Sequence, residues 1–166
     1  MEKTRHDPAV RFAVRDATES DYAAMCDIHV SAIKSISTVF YSAELKASWA
    51  IGLHPDGYAG GKAKGESYRV AANENNHVCG FSSTITDRLL ALYVHPDAQG
   101  MGVGALMLSD AERRIQQSGV SEAKLNASLN AETFYAARGW TFTSFDNFVS
   151  RGGLTLKVAQ MQKVFT

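Results

Sequence analysis

The sequence predicts one mixed α/β (α+β) domain over residues 1–166, with its core at about 10–164. We expect helices to flank a central sheet that is mixed but mostly antiparallel. Three observations support this fold class. The length of 166 residues is that of one domain, segments with strand and helix periodicity are interspersed, and a glycine-rich loop separates a buried strand from an amphipathic helix.

Composition and charge narrow the classes of function. The chain is 45% hydrophobic and 20% charged, as expected for a soluble protein, and no apolar run suggests a membrane span. Lys and Arg total 17, as do Asp and Glu, so no overall field favours nucleic acid. The first residues lack the apolar core of a signal peptide, so we expect a cytoplasmic protein. Cys26 and Cys79 have no metal-ligand spacing, and we expect them to be reduced and structural, with no bound metal.

The first third of the chain predicts a strand, two helices and a loop. Residues 10–15 alternate apolar and polar side chains, as a half-buried strand does. From Tyr22, apolar positions recur at steps of three and four, which predicts a helix to about Ile36. Ser42 can cap a second helix that ends near Gly52. Residues 54–65 are rich in Gly, Pro and Lys and have no steady period, so we expect a loop.

The middle of the chain predicts a hairpin and a central strand. Residues 68–72 and 78–85 are strand-like, and the Asn-rich segment between them favours a tight turn. Residues 89–94 are more continuously apolar, as in a strand covered on both faces, and Pro96 ends it. Val103, Met107 and later apolar residues four apart then predict an amphipathic helix that stops at Gly119.

The last third predicts three more strands and a short helix. A polar-sided strand occupies 124–128. Asn130 is predicted to cap a helix that Gly139 closes. Two final strands, 140–149 and 154–164, pair across a Gly-rich turn.

The glycine run is the strongest functional signal. Its sequence is Gln99-Gly100-Met101-Gly102-Val103-Gly104, where a strand ends and a helix begins, so free backbone N–H groups and the helix dipole converge there. Glycine lets an anion approach the backbone, and Gln99 could add an amide donor, so the loop suits a phosphate. A tight turn with no ligand is the alternative. No Gly-Lys-Ser/Thr follows, and the pattern is a poor dinucleotide fingerprint.

The glycine run and the segments around it resemble a known family. Leu92-Tyr93-Val94-His95-Pro96 followed by residues 99–104 resembles the acetyl-CoA motif of the GNAT N-acetyltransferases. Residues 126–131, followed by Phe134-Tyr135 and Gly139-Trp140, resemble the same family's second conserved block. Around Tyr41, Glu44, Leu45 and Trp49 the chain is most similar to bacterial YafP-like acetyltransferases.

The resemblance implies the GNAT acyl-CoA N-acyltransferase fold and transfer of an acetyl group from acetyl-CoA to a primary amine. The acceptor would be an unidentified small molecule that attacks directly in a ternary complex, and a homodimer is possible. No nucleic-acid or membrane partner is implied. The residues it assigns to the coenzyme are Leu92, Tyr93, Val94, Gln99, Gly100, Met101, Gly102, Val103, Gly104, Asn130 and Phe134.

The resemblance also makes Tyr135 the general acid that protonates the departing thiolate, with a backbone N–H, such as that of Val94, stabilising the oxyanion. The alternative for Tyr135 is a packed aromatic residue. The strand 89–94 lacks the glutamate that many relatives use as a base. His29, Asp87, His54 or a water chain are the remaining candidates, although each histidine or carboxylate also fits a structural or solvated role.

Two questions about function stay open at this stage. Trp49, Tyr41, Phe40 and Tyr58 either line an acceptor pocket or pack in the core. The chain could also be a non-catalytic acyl-CoA-binding or sensing module, which would keep the glycine loop without depending on Tyr135. A third hypothesis is a structural domain that binds no coenzyme, and the resemblance of residues 126–140 to the second conserved block disfavours it.

Overall fold

A computed structural model describes residues 11–166 and confirms the mixed α/β fold class. Seven strands form one sheet in the order β1-β2-β3-β4-β5-β7-β6. All neighbouring strands pair antiparallel except β4 and β5, which are parallel. The strands are β1 Phe12–Asp16, β2 Ser67–Asn73, β3 Val78–Ile85, β4 Arg88–Val94, β5 Glu122–Ser128, β6 Thr141–Val149 and β7 Thr155–Val164. Val10, the predicted start of the first strand, lies outside the described residues.

Five α-helices are described, and most begin where the sequence predicts. They are α1 Tyr22–Ser35, α2 Ala43–Ala50, α3 Asp56–Ala63, α4 Val103–Gln117 and α5 Glu132–Ala136. The Ser42 hydroxyl accepts a hydrogen bond from the Leu45 N–H at 3.2 Å, so the predicted cap of α2 is confirmed. In the described part of the chain, no helix has the length and apolar character needed to cross a membrane.

The prediction of a loop over 54–65 is wrong, because α3 occupies most of this segment. Glycines at 57, 60 and 61 lower intrinsic helix propensity. Tertiary packing overrides that preference: Tyr58 is buried against α1 and the sheet, and a side chain at Gly61 would collide with the Tyr68 hydroxyl. The glycine therefore allows a close approach of helix and strand that periodicity does not reveal.

The predicted role of Asn130 as a helix cap is also wrong. The N-cap of α5 is Ala131, and no side-chain hydrogen bond caps this helix. The Ala131 N–H instead donates to the Ser128 carbonyl at 2.9 Å, forming a turn between β5 and α5 that leaves Asn130 exposed. The helix starts one residue later than the cap residue type suggests.

Helices cover both faces of the sheet, and each face has its own core. On one face, which we call the α1 face, α1 and Tyr58 pack on Val70 and Phe81. The opposite face, the α4 face, is covered by α4, which packs on β1, β3, β4 and β5. Cys26 and Cys79 are both buried free thiols in these cores, as predicted.

The parallel strands β4 and β5 separate along their length. They pair only at Arg88↔Lys124 and Leu89↔Leu125. The pairing of β4 with β3 skips Leu90, which marks a β-bulge immediately after that point. From Leu90 onwards β4 therefore diverges from β5, and the sheet opens between them.

Candidate active site

The opening between β4 and β5 forms a cavity of about 270 Å³, which we call the central cavity. Side chains from both faces of the sheet line it. The lining residues are Trp49, Arg88, Leu89, Leu90, Ala91, Leu92, Tyr93, Leu125, Asn126, Ala127, Ser128, Ala131, Tyr135, Phe148 and Val158. Two of the sequence-predicted coenzyme residues, Leu92 and Tyr93, and the predicted acid Tyr135 thus meet at one place.

The edge of β4 that faces the central cavity carries backbone groups that bond to no described residue, except the Val94 carbonyl, which accepts from the Gln99 side chain. The His95 N–H donates to the Cys79 carbonyl at 2.8 Å, so Tyr93, two residues earlier, also directs its backbone groups to β3. Because these directions alternate along a strand, Leu92 and Val94 direct theirs towards the opening. The opened edge can therefore donate to and accept from an extended ligand.

Tyr135 directs its phenol into the central cavity from α5. The residue is 7% exposed, and its ring packs edge-on against Phe134 and Trp140. Burial raises the pKa of Tyr135 above its ordinary value, so the hydroxyl keeps its proton at neutral pH. Among the described residues the hydroxyl has no hydrogen-bond partner, which leaves it free to donate a proton to a molecule in the cavity.

The glycine loop presents an unbroken series of free donors. The backbone N–H groups of residues 100–105 donate to no described residue, and the first helical bond of α4 runs from the Leu106 N–H to the Gly102 carbonyl. Gly100 and Gly102 have φ angles of 78° and 85°, which side-chain-bearing residues rarely adopt. The chain conformation and the N-terminus of the fifteen-residue α4 together form a site suited to a phosphate group.

Gly104, Val94 and Phe134 lie together beside this loop. A β-carbon added at Gly104 would lie 3.4 Å from the Phe134 ring and 3.9 Å from Val94 Cγ2. The Arg138 guanidinium stacks on the Phe134 ring, 4.0 Å from its centroid. Gln99, predicted as an extra donor, uses its Nε2 to donate to the Val94 carbonyl at 3.2 Å, which joins the loop to β4.

The aromatic residues considered for an acceptor pocket, and Asn130, lie in different places. Trp49 lines the central cavity. Tyr41 is buried and donates from its hydroxyl to the Lys157 carbonyl at 2.6 Å, while Tyr58 belongs to the core under α1. Phe40 is exposed. Asn130 is exposed and does not line the cavity.

Several lining residues were not predicted from the sequence. Asn126, Phe148 and Val158 come from β5, β6 and β7, which pair across the sheet. The polar-sided pattern of residues 124–128 is a sequence signal that one face of β5 meets polar groups. The contribution of β6 has no such signal, because it depends on strand order and register.

None of the three side chains considered as a base lines the central cavity. His29 Nδ1 lies 3.1 Å from the Tyr58 hydroxyl, and its ring stacks 4.3 Å from Tyr93. Burial, aided by the Arg151 charge, lowers the pKa of His29 to about 4. His54 Nδ1 accepts from the Asp56 N–H at the start of α3, and the Asp87 carbonyl accepts from Lys124 in the turn before β4.

Comparison with known proteins decides the family. A family model described as an acetyltransferase (GNAT) domain matches residues 41–164. The chain belongs to the GNAT acetyltransferase family. The resemblance predicted from the two motifs is therefore confirmed at the level of the family, while the narrower similarity to YafP-like enzymes stays a prediction. No curated protein matches the chain.

Solved GNAT structures share this fold. The crystal structure of the GCN5-related N-acetyltransferase, aminotransferase class-II, from Rhodopseudomonas palustris is 27% identical, with a TM-score of 0.85 over 92% of this chain and 95% of that chain. The putative acetyltransferase yncA from Salmonella typhimurium, solved with acetyl-CoA, is 22% identical, with a TM-score of 0.68 over 93% and 94%. PaiA N-acetyltransferase from Thermoplasma acidophilum, solved with coenzyme A, is 18% identical, with a TM-score of 0.70 over 93% and 99%.

Proposed function

We propose that this GNAT protein transfers an acetyl group from acetyl-CoA to the primary amine of a small acceptor, by direct attack in a ternary complex. One observation carries the proposal: the free Tyr135 hydroxyl and the open edge of β4 meet in one cavity, and the free N–H groups of the glycine loop follow at the end of the same strand. The acetyl-CoA and coenzyme A bound to the two neighbours named above support the choice of coenzyme.

The residues present fit a coenzyme with a pyrophosphate and an extended arm. The N–H groups of residues 100–105 would hold the pyrophosphate. Gly100 and Gly102 adopt the positive φ angles that the loop requires and have no side chain to keep the anion away from the backbone. Backbone groups of Leu92 and Val94 would hold the arm, and Phe134 and Asn130 would flank it. When bound, acetyl-CoA would supply the thioester that the amine attacks.

The chain's own groups then have separate tasks. The Val94 N–H donates to the developing oxyanion, where a preorganised donor is most effective. Tyr135 donates its proton to the thiolate, since its raised pKa keeps it protonated. No carboxylate or imidazole is among the residues lining the central cavity. The amine therefore loses its proton to water, and the protein contributes orientation rather than a strong base.

The test is thiol release from acetyl-CoA in the presence of a panel of primary amines, comparing the wild type with Tyr135→Phe. We expect turnover with some of the amines, and a fall in kcat of about 100-fold in the variant with little change in coenzyme affinity. Tyr41→Phe is the matched control, because its hydroxyl bonds to the backbone instead of the cavity. Equal kcat in wild type and Tyr135→Phe would contradict the assigned acid. Coenzyme binding with no turnover across the panel would favour a sensing module.

A further inference from the structure

Two cations, Arg88 and Lys124, lie side by side at the point where β4 and β5 separate. They are direct partners in the parallel pair. Their neighbours Leu89 and Leu125 pack in the core of the α4 face. Because side chains alternate along a strand, Arg88 and Lys124 both point to the α1 face, and both are exposed.

No internal ion pair explains this arrangement. Like charges opposite each other on neighbouring strands destabilise the pairing. Neither cationic side chain forms a hydrogen bond or an ion pair with any described residue. Glu122, two residues before Lys124 on the same face, and Asp87, next to Arg88, form no ion pair with them either. Two unneutralised charges at one spot suit an anion that comes from outside the chain.

The surroundings of the two cations form a polar groove of about 370 Å³, which we call the basic groove. It is lined by Arg88, Lys124, Leu125, Asn126, Thr143, Ser144, Gln160, Met161 and Gln162. Amides and hydroxyls are abundant there and carboxylates are missing from the lining. Asp146, on the same face, accepts a hydrogen bond from Gln160 Nε2 at 3.0 Å and is not a lining residue.

The basic groove continues into the central cavity, because Arg88, Leu125 and Asn126 line both. A small molecule could therefore place one end near Tyr135 and the other between the two cations. The arginine offers a planar pair of donors that matches a carboxylate, and the lysine adds a point charge.

We propose that the acceptor is a primary amine that also carries a carboxylate, as an amino acid does, and that Arg88 and Lys124 bind this carboxylate. The inference rests on the proposed function, since it assigns the amine of the same molecule to the central cavity. Arg88 and Lys124 are then specificity-determining residues and take no part in bond making.

The experiment uses the product side, so that it does not depend on finding the best acceptor. Protein saturated with coenzyme A is titrated in a calorimeter with N-acetyl-L-methionine and, separately, with N-acetyl-L-methioninamide, which differ only in the carboxylate. We expect the acid to bind at least about tenfold more tightly to the wild type, the size of one charge-assisted hydrogen bond. In Arg88→Gln the preference falls to about twofold or less, and Lys124→Gln loses part of it.

Lys157→Gln is the matched control, because it removes the same charge from the opposite face, where Lys157 stacks on Phe145. It should keep the full preference for the acid. Equal affinity for acid and amide in the wild type, including no measurable binding of either, would overturn the inference, as would an unchanged preference in Arg88→Gln. The preceding titration with coenzyme A is a separate result: its failure contradicts the proposed function, whereas its success beside equal affinities contradicts only the acceptor assignment.

Discussion

At the scale of single residues, burial sets the protonation of one group that lines the central cavity and of one that lies outside it. Tyr135 is held as a neutral phenol inside the central cavity, and His29 as a neutral imidazole beneath Tyr93. Their pKa values move in opposite directions because burial always disfavours the charged form. One group is therefore a proton donor over the whole neutral range, and the other contributes packing and a hydrogen bond to Tyr58.

The pH dependence of turnover should show the raised pKa of Tyr135. As pH rises from 6 to about 9, kcat/KM should increase because the acceptor amine loses its proton. No alkaline fall should appear below about pH 10, the ordinary pKa of tyrosine, because the acid form of Tyr135 persists beyond it. A fall centred at or below about pH 10 in the wild type, and missing in Tyr135→Phe, would show that this pKa is not raised.

His29 should make the free energy of unfolding depend on pH. Its folded pKa of about 4 lies below the unfolded value of 6.5, so between these values the unfolded chain binds more protons. The contribution of His29 to the free energy of unfolding is fully present above pH 6.5 and falls towards pH 4, with a slope of at most about 1.4 kcal/mol per pH unit. Urea unfolding at pH 7 and pH 5 should give a smaller difference for His29→Gln than for the wild type.

The control for that measurement is His54→Gln, because the side chain of His54 is 69% exposed. It should keep the wild-type difference between the two pH values. If His29→Gln also kept the wild-type difference, the His29 imidazole would not be the group that makes the protein less stable in acid.

At the scale of elements, the junction between β4 and α4 combines two roles. The strand ends with backbone groups free at its edge, and the helix begins with free N–H groups and two glycines in the left-handed region. Both features lie in one continuous segment between β4 and α4, so the proposed arm and pyrophosphate sites are adjacent in the sequence.

Gly102→Glu should abolish coenzyme binding, because it adds a carboxylate and a side chain where an anion is proposed to lie. Gly102→Ala separates the backbone strain of a positive φ from the charge, and we expect it to weaken affinity by about tenfold or less. Gly119→Glu is the matched control: its φ is +95°, no atom would meet its β-carbon within 4 Å, and it lies beyond the opposite end of α4. Calorimetry with acetyl-CoA on all three variants checks this. Unchanged affinity in Gly102→Glu would place the pyrophosphate elsewhere.

Most elements could be predicted from the sequence because their periodicity is local. The helix from Tyr22 and the strand ending at Val94 lie where apolar spacing and Pro96 place them. The helix α3 could not be predicted, because its glycines disfavour a helix and only tertiary packing compensates, through the burial of its Tyr58 and the close approach of Gly61 to Tyr68. Asn130 illustrates a different failure, since a residue typical of caps lies in a turn instead.

The candidate site was predictable only in part. The glycine loop and Tyr135 belong to motifs that are continuous in the sequence. Asn126, Phe148 and the paired cations Arg88 and Lys124 become neighbours through strand order and register, which long-range pairing sets. The acceptor side of the cavity therefore required the structure.

At the scale of the whole molecule, ion pairs tie the β1–β2 edge of the sheet to the helix that bears the glycine loop. Asp110 of α4 is 6% exposed and accepts from Arg69 of β2 through two hydrogen bonds of 3.1 and 3.0 Å. Arg113 donates to the same carboxylate at 2.7 Å, and Arg69 also donates to Asp16 of β1 at 2.9 Å. The network holds α4 against the far edge of the sheet.

Asp110→Ala should lower the free energy of unfolding by about 3 kcal/mol, because it leaves the Arg69 guanidinium partly uncompensated beneath α4. Urea denaturation measures this, with Glu74→Ala in the exposed β2–β3 turn as the control, which should change it by less than about 0.5 kcal/mol. A loss below about 1 kcal/mol in Asp110→Ala would mean that the remaining ion pair with Asp16 is sufficient.

The measurement that tests the central claim most directly is a calorimetric titration of the purified wild-type protein with acetyl-CoA, with desulfo-CoA and ATP as comparison ligands. We predict one site per chain with an affinity of about micromolar, and much weaker binding of ATP, because the loop holds the pyrophosphate while β4 holds the arm. No binding of acetyl-CoA by a folded sample, or equal binding of ATP, would contradict the assignment of the glycine loop and the central cavity as a coenzyme site.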